Sequence, residues 1–167
     1  MPKRSWCVVL LSHCLLNVNS RAYGLVTSEL CSLQISPLLN YLLKKGYGLV
    51  QLPCPEALLL GFKREPATKA EYEELGLRPR SRELVKEISV LINSMLNSGI
   101  KIVAFIGVAG SPSCGVYTTH IKSKVLRETG RGIFTEELLE VLPKETKLLE
   151  WDFKNPLMSL LNVIKTL

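Results

Sequence analysis

The sequence predicts an α/β fold, a small three-layer sandwich around a parallel, Rossmann-like sheet of about four to five strands. Three observations carry this expectation. Stretches patterned as strands alternate with stretches patterned as helices, the order that gives right-handed crossovers and a parallel sheet. Residues 100–108 are nearly all apolar and rich in β-branched side chains, as a strand covered on both faces must be. The 167 residues, 47% of them hydrophobic, suffice for one core and do not call for a second, so a single domain is expected over residues 1–167.

The first strand is expected over Cys7–Leu11. Pro2-Lys3-Arg4 followed by that apolar run imitates a secretory leader, but Ser12, His13 and Asn17 interrupt it before any small-residue cleavage site, so it reads as a buried strand. A helix follows, with Ser36 as N-cap and Pro37 at its first position. Leu38, Leu39, Leu42 and Leu43 form its apolar stripe, Lys44 and Lys45 suit the negative end of its dipole, and Gly46 supplies the left-handed stop. Residues 48–52 read as the second strand. From 61 to 80 the chain turns polar and charged, with Pro66 and Pro79, and predicts a long surface loop or lid. Ser81 then opens the best-patterned helix: Leu84, Val85, Ile88, Leu91, Ile92, Met95 and Leu96 recur at helical spacing and Gly99 closes it. After the central strand, a short helix is expected from Thr135 with Glu136 and Glu137 in its first turn. A last strand is expected over 148–151, and a final helix from Asn155-Pro156 through Leu157, Leu160, Leu161 and Ile164.

No apolar stretch approaches the roughly 20 residues of a membrane-spanning helix. Five cysteines, an odd number without a leader, argue against a disulfide framework and for ligand or catalytic use in a reducing, cytoplasmic setting. The net charge of +6 is compatible with an anionic partner such as a nucleotide or RNA, with Lys63, Arg64, Arg78, Arg80 and Arg82 as candidate contacts. Lys and Arg are nevertheless dispersed along the chain, and a solvated charged surface is the simpler reading. Gly107, Gly110 and Gly115 are not followed by Gly-Lys-Ser/Thr or a dinucleotide fingerprint, which excludes a nucleotide-triphosphatase loop.

Cys14, Cys54 and Cys114 each fall just beyond an expected strand, and in a parallel sheet all such loops share one edge, where ligands collect. Cys7 lies inside the first strand and Cys31 in the apolar connection before the first helix, and both read as packing residues. Thiolates select zinc, copper(I) or iron–sulfur clusters. A structural zinc site draws closely spaced pairs, and no Cys-x-x-Cys is present, so zinc is the second choice. His13 and His120 stay open as a fourth ligand of a Cys₃His zinc site or as proton donors.

Ser12-His13-Cys14-Leu15-Leu16, Cys54-Pro55-Glu56, Ser111-Pro112-Ser113-Cys114-Gly115 and Gly130-Arg131-Gly132-Ile133-Phe134-Thr135 occur in this order. The set resembles the motifs of the thiouracil desulfurase family. The resemblance implies a [4Fe–4S] cluster on Cys14, Cys54 and Cys114, a non-redox removal of sulfur from a small thiolated compound such as a nucleobase or nucleoside, and catalytic roles for Glu56 and Ser111. Ser12, His13, Asn17, Ser113 and Gly115 are candidates to contact the substrate or support the ligand sulfurs. Gly130-Arg131-Gly132 is expected to bring backbone close to the site, ahead of a helix whose amino end favours an anion such as hydrosulfide. Where typical members read Cys-Leu-Leu-Gly and Cys-Arg-Tyr-Asp-Gly, this chain has Asn17 and then Ser20-Arg21-Ala22-Tyr23-Gly24, which marks a divergent branch whose substrate need not be thiouracil. A noncatalytic zinc- or cluster-stabilised binding protein, RNA-associated through its basic balance, is the alternative function.

Overall fold

The computed structural model describes residues 4–25 and 28–167, and of residues 28–32 the backbone alone. Four strands, β1 (Cys7–Leu11), β2 (Gly48–Gln51), β3 (Lys101–Val108) and β4 (Lys147–Trp151), pair in the order β2-β1-β3-β4, every pair parallel. Side chains alternate across a strand, so Val9 and Leu11 serve one face of the sheet and Leu10 the other. On the first face α2 (Ser28–Lys44) and α7 (Pro156–Thr166) bury Ile35, Leu38, Leu42 and Val163 against Ile106 and Trp151. On the second, α5 (Leu77–Asn97) and α6 (Ile133–Leu139) bury Leu84, Val85, Ile88, Phe134 and Leu138 against Ile102 and Phe105. Each such side chain contributes about 1.5–3 kcal/mol of burial. The result is the expected three-layer sandwich. Among the described residues, no helix is long and apolar enough to cross a membrane.

Chain order fixes where a site can form. β1 connects to β2 on one side of the sheet and has β3 on the other, so the winding direction reverses at β1 and leaves a crevice beyond the carboxyl ends of β1 and β3.

The boundaries depart from expectation in physically readable ways. Pro37 does not open α2; it lies inside it. An interior proline costs about 3 kcal/mol in an isolated helix, but Pro37 and the Leu33 whose carbonyl it leaves unpaired are exposed, while Ile35, Leu38 and Leu42 pack on the sheet from both sides of it. Cys31 therefore belongs to α2 and not to a connection, and its expected role as a packing residue lies outside the described side chains. The expected loop over 61–80 is in large part helical. Thr68 and Glu71 form a reciprocal capping box that starts α4 (Lys69–Glu74), and Gly76, in the left-handed region, precedes α5, which begins at Leu77 ahead of Ser81. Pro79 falls in the first turn of α5, where its missing N–H is harmless. Likewise α6 starts at Ile133, not at Thr135. In α7 the buried face is Ser159, Leu160 and Val163, whereas Leu157, Leu161 and Ile164 are exposed; a helix apolar on most sides does not reveal its inner face by period alone.

Candidate functional site

The turn after β3 is built from backbone packed on backbone. Ser111 Oγ accepts from the N–H groups of Ser113 and Cys114, and Cys114 O accepts from Val108 N–H. Pro112 O and Ser113 O accept from Ile133 and Thr135 N–H at the start of α6, and Gly115 O accepts from Gly132 N–H. The N–H groups of Gly132, Ile133 and Thr135 at the amino end of α6 are thereby taken by this turn, where the sequence suggests an anion such as hydrosulfide. A Cβ on Gly107 would stand 2.2 Å from Cys114 O, one on Gly115 2.2 Å from Thr118 O, and one on Gly132 2.3 Å from Ser113 C and O. The close approach expected of Gly132 is thus present. Gly132→Ala is expected to destabilise the protein by about 1–3 kcal/mol, the scale of overpacking, and to disturb the Cys114 turn. A denaturant midpoint equal to wild type would show that the turn yields freely.

The other two strand-end cysteines sit in short helices. Cys14 is in the first turn of α1 (His13–Leu16), directly after β1. Cys54, after β2, is the N-cap of α3 (Pro55–Leu60), its sulfur accepting from Ala57 N–H at 3.5 Å. All three thiols line one cavity of about 500 Å³, and all three also border a small void of about 20 Å³ with Ser12, His13 and Ser113. Cys14 and Cys114 are close enough to share a proton. The thiol that Cys14 donates, with help from the Ser111 hydroxyl, brings Cys114 down to about 7 in spite of its burial. The same bond and burial hold Cys14 well above the usual thiol range. Burial, then the Glu56 carboxylate, pushes Cys54 up to about 12. Ser111 Oγ is 3.2 Å from Cys114 Sγ. Ser12 Oγ is buried and has no partner among the described residues. Among those residues no three His, Cys, Asp or Glu side chains converge on a single ion-sized point.

Glu56, in the first turn of α3, is 7% exposed and lines the cavity. Its Oε2 accepts from Arg64 Nε at 3.0 Å, Arg64 Nη2 at 2.9 Å and Tyr72 OH at 3.0 Å. Arg64 is equally buried, and its Nη2 also donates to Ser20 O at 2.8 Å and reaches Cys54 Sγ at 3.7 Å. One guanidinium thus ties the carboxylate to a candidate ligand sulfur. Glu56 Oε1 accepts from none of the described residues, which leaves it for whatever enters the cavity.

A family model described as "Putative 2-thiouracil desulfurase" matches residues 8–128. The chain belongs to the 2-thiouracil desulfurase family. Among curated proteins, an uncharacterized protein of Methanocaldococcus jannaschii, MJ0003, is 31% identical over 137 residues, 82% of this chain and 78% of that protein. The solved structure of the [4Fe-4S]-dependent thiouracil desulfidase TudS is similar in fold, with a TM-score of 0.55 and 18% identity over 96% of this chain and 99% of that one.

With the family in view, the candidates from sequence sort by position. Cys14, Cys54, Cys114, Glu56, Ser111 and Ser113 line the main cavity. Ser12 and His13 border only the small void, with His13 Nδ1 3.3 Å from Leu52 O. His120 lines the cavity wall, its Nδ1 facing Ser123 O and Leu126 O. Asn17 borders neither space and caps the 3₁₀ turn Val18–Ser20 through Asn19 N–H. Gly115 borders neither space; it gives room to Thr118 O and ties the turn to Gly132 and Ser111 through its backbone. Of the basic residues named as candidate contacts for a nucleotide or RNA, Arg64 pairs with Glu56, Arg78 with Glu73, Glu136 and Glu137, Arg82 with Glu137, and Arg80 with Glu83. Arg64 and Tyr72, along with Arg21 and Gln34, are cavity residues that the sequence did not place in the site: Arg64 stood only as a candidate contact for an anionic partner and Arg21 only among the departures from the family motif. Arg64 and Tyr72 fall in the stretch read as a loop, where the Thr68-x-x-Glu71 signature was the available signal for order.

Proposed function

We propose that this chain is a non-redox desulfidase that holds a [4Fe–4S] cluster on Cys14, Cys54 and Cys114 and hydrolyses the carbon–sulfur bond of a small thiolated heterocycle, a thio-nucleobase or nucleoside. The observation that carries the reading is that three thiols from three strand ends open on the same cavity as a buried carboxylate with one free oxygen. Family membership and the TudS-like fold support it. The donor set suits the group. Three thiols carried on three separate elements are the donors such a cluster takes, and the unpartnered Ser12 hydroxyl and the Ser111 hydroxyl are beside them to donate to sulfur.

When bound, such a cluster would supply a soft Lewis-acidic iron without a protein thiolate, suited to polarising a thiocarbonyl. The protein's share is to exclude bulk water, orient the substrate and move a proton. Glu56 Oε1 takes that proton from the attacking water, while Arg64 and Tyr72 fix the carboxylate through Oε2. The C=S carbon becomes C=O, water is consumed, hydrogen sulfide leaves and no electron is transferred.

The test is anaerobic reconstitution followed by sulfide assay. About four irons and four sulfides per chain, together with sulfide release from 2-thiouracil or other thiolated bases and nucleosides, is the expected result. Stoichiometric zinc without sulfide, and no release from any compound, would favour the binding-protein alternative.

A further inference from the structure

Buried guanidinium groups are costly unless paired, and this chain follows that rule at most of its cationic sites. Arg64 is held by Glu56, Arg78 by Glu73, Glu136 and Glu137, and Arg127 by Asp152 at 2.8 Å. Arg21 departs from it. Its side chain lines the cavity and stacks on the Phe153 ring at 4.0 Å, yet Nη1 is buried with no hydrogen-bond partner among the described residues. A second orphan belongs to another residue of the cavity wall. Gln34, on α2, lines the cavity, and its Oε1 is buried without a partner. One orphan donates and the other accepts. Unsatisfied buried polar atoms cost about 1–3 kcal/mol each, so a donor and an acceptor left without partners on two residues of one cavity wall call for bonds that a ligand can supply.

We propose that Arg21 and Gln34 are the specificity-determining residues of the site: Gln34 Oε1 accepts a ring N–H and Arg21 Nη1 donates to the carbonyl or thiocarbonyl beside it. The ligand class is a cyclic amide or thioamide that carries an N–H next to C=O or C=S, and N-alkylated or purely aromatic sulfur heterocycles are excluded. The inference rests on the desulfidase reading for the identity of the cavity's occupant, and it adds which atoms read that occupant. Stacking on Phe153 keeps the Arg21 guanidinium plane fixed without consuming its edge donors. A site built to bond a substrate N–H rejects the analogue that lacks it, because the site's own buried acceptor is then left empty.

The experiment measures dissociation constants of 2-thiouracil and of its two singly N-methylated derivatives by calorimetry, on the cluster-loaded wild type, Gln34→Leu and Arg21→Met, with sulfide release followed in parallel. In the wild type, methylation at one of the two nitrogens should weaken binding by about 5- to 150-fold, the equivalent of an unsatisfied buried group. In Gln34→Leu that penalty should fall to within about twofold of none, and Arg21→Met should weaken all three ligands by about the same range. Thermal melting supplies a second readout. Neither side chain's orphan atom bonds to the described protein, so Gln34→Leu should melt at or above the wild-type temperature, and Arg21→Met, which also gives up the stacking on Phe153, only slightly below it. A methylation penalty that persists in Gln34→Leu, wild type that binds none of the three ligands, or variants that melt well below wild type would overturn the assignment. Sulfide release with no dependence on the N–H would defeat this inference while leaving the desulfidase reading intact. Binding that depends on the N–H without sulfide release would do the reverse.

Discussion

Glu56→Gln is expected to keep its iron and lower the rate of sulfide release by about 10²–10⁴, the scale of a lost general base. The substitution is close to isosteric. Its side-chain oxygen can still receive Arg64 and Tyr72 where Oε2 does now, and the amide nitrogen takes the place of Oε1 at the cavity, where it cannot accept a proton from water. The second expected effect follows from burial. Removing the carboxylate charge leaves Arg64 enclosed without a counter-ion, and breaking a buried pair from one side costs about 3–5 kcal/mol, so the variant should also melt below wild type. Arg64→Leu probes the pair from the other side and should likewise be destabilised. Turnover by Glu56→Gln at the wild-type rate would remove the residue from the chemistry. An unchanged melting temperature would show that the ion pair is offset by something else.

Alanine at Cys14, Cys54 or Cys114 should each abolish retention of the full iron complement, whereas Cys7→Ala should retain it at a packing cost of about 1 kcal/mol. The contrast rests on placement. Cys7 lies in β1 and lines neither cavity, while the other three border both spaces. Iron and acid-labile sulfide per chain, with the visible absorption of the reconstituted proteins, give the readout. Full iron in any one of the three variants would reassign the ligand set, and loss of iron in Cys7→Ala would implicate a fourth sulfur.

Much of this could be read from sequence because two rules acted together. Apolar runs of strand length gave β1 as Cys7–Leu11 and placed β3 to within a residue of Lys101–Val108, and the rule that loops of a parallel sheet share an edge then brought Cys14, Cys54 and Cys114 together. Helix starts were less legible. Pro37 carried the signal of a first position and turned out to be interior, since the packing of Leu38 and Leu42 outweighs local propensity. The Arg64–Glu56–Tyr72 bonds join residues on the cavity wall that no period or spacing links, and an arginine in a charged stretch reads as solvated until its partner is known. The unpartnered atoms of Arg21 and Gln34 were invisible for the same reason: a missing bond is a property of three dimensions.

The arrangement of strands also sets an order of assembly. Cys14 and Cys54 follow neighbouring strands of the amino-terminal part of the chain, but Cys114 reaches them only when β3 has docked against the far side of β1 and its turn has been clamped by Gly132 at the start of α6. A nascent chain therefore offers two thiols well before the third. A centre held by all three thiols, as proposed, would be completed only once β3 has docked on β1, so its insertion would be a late event in the life of the chain.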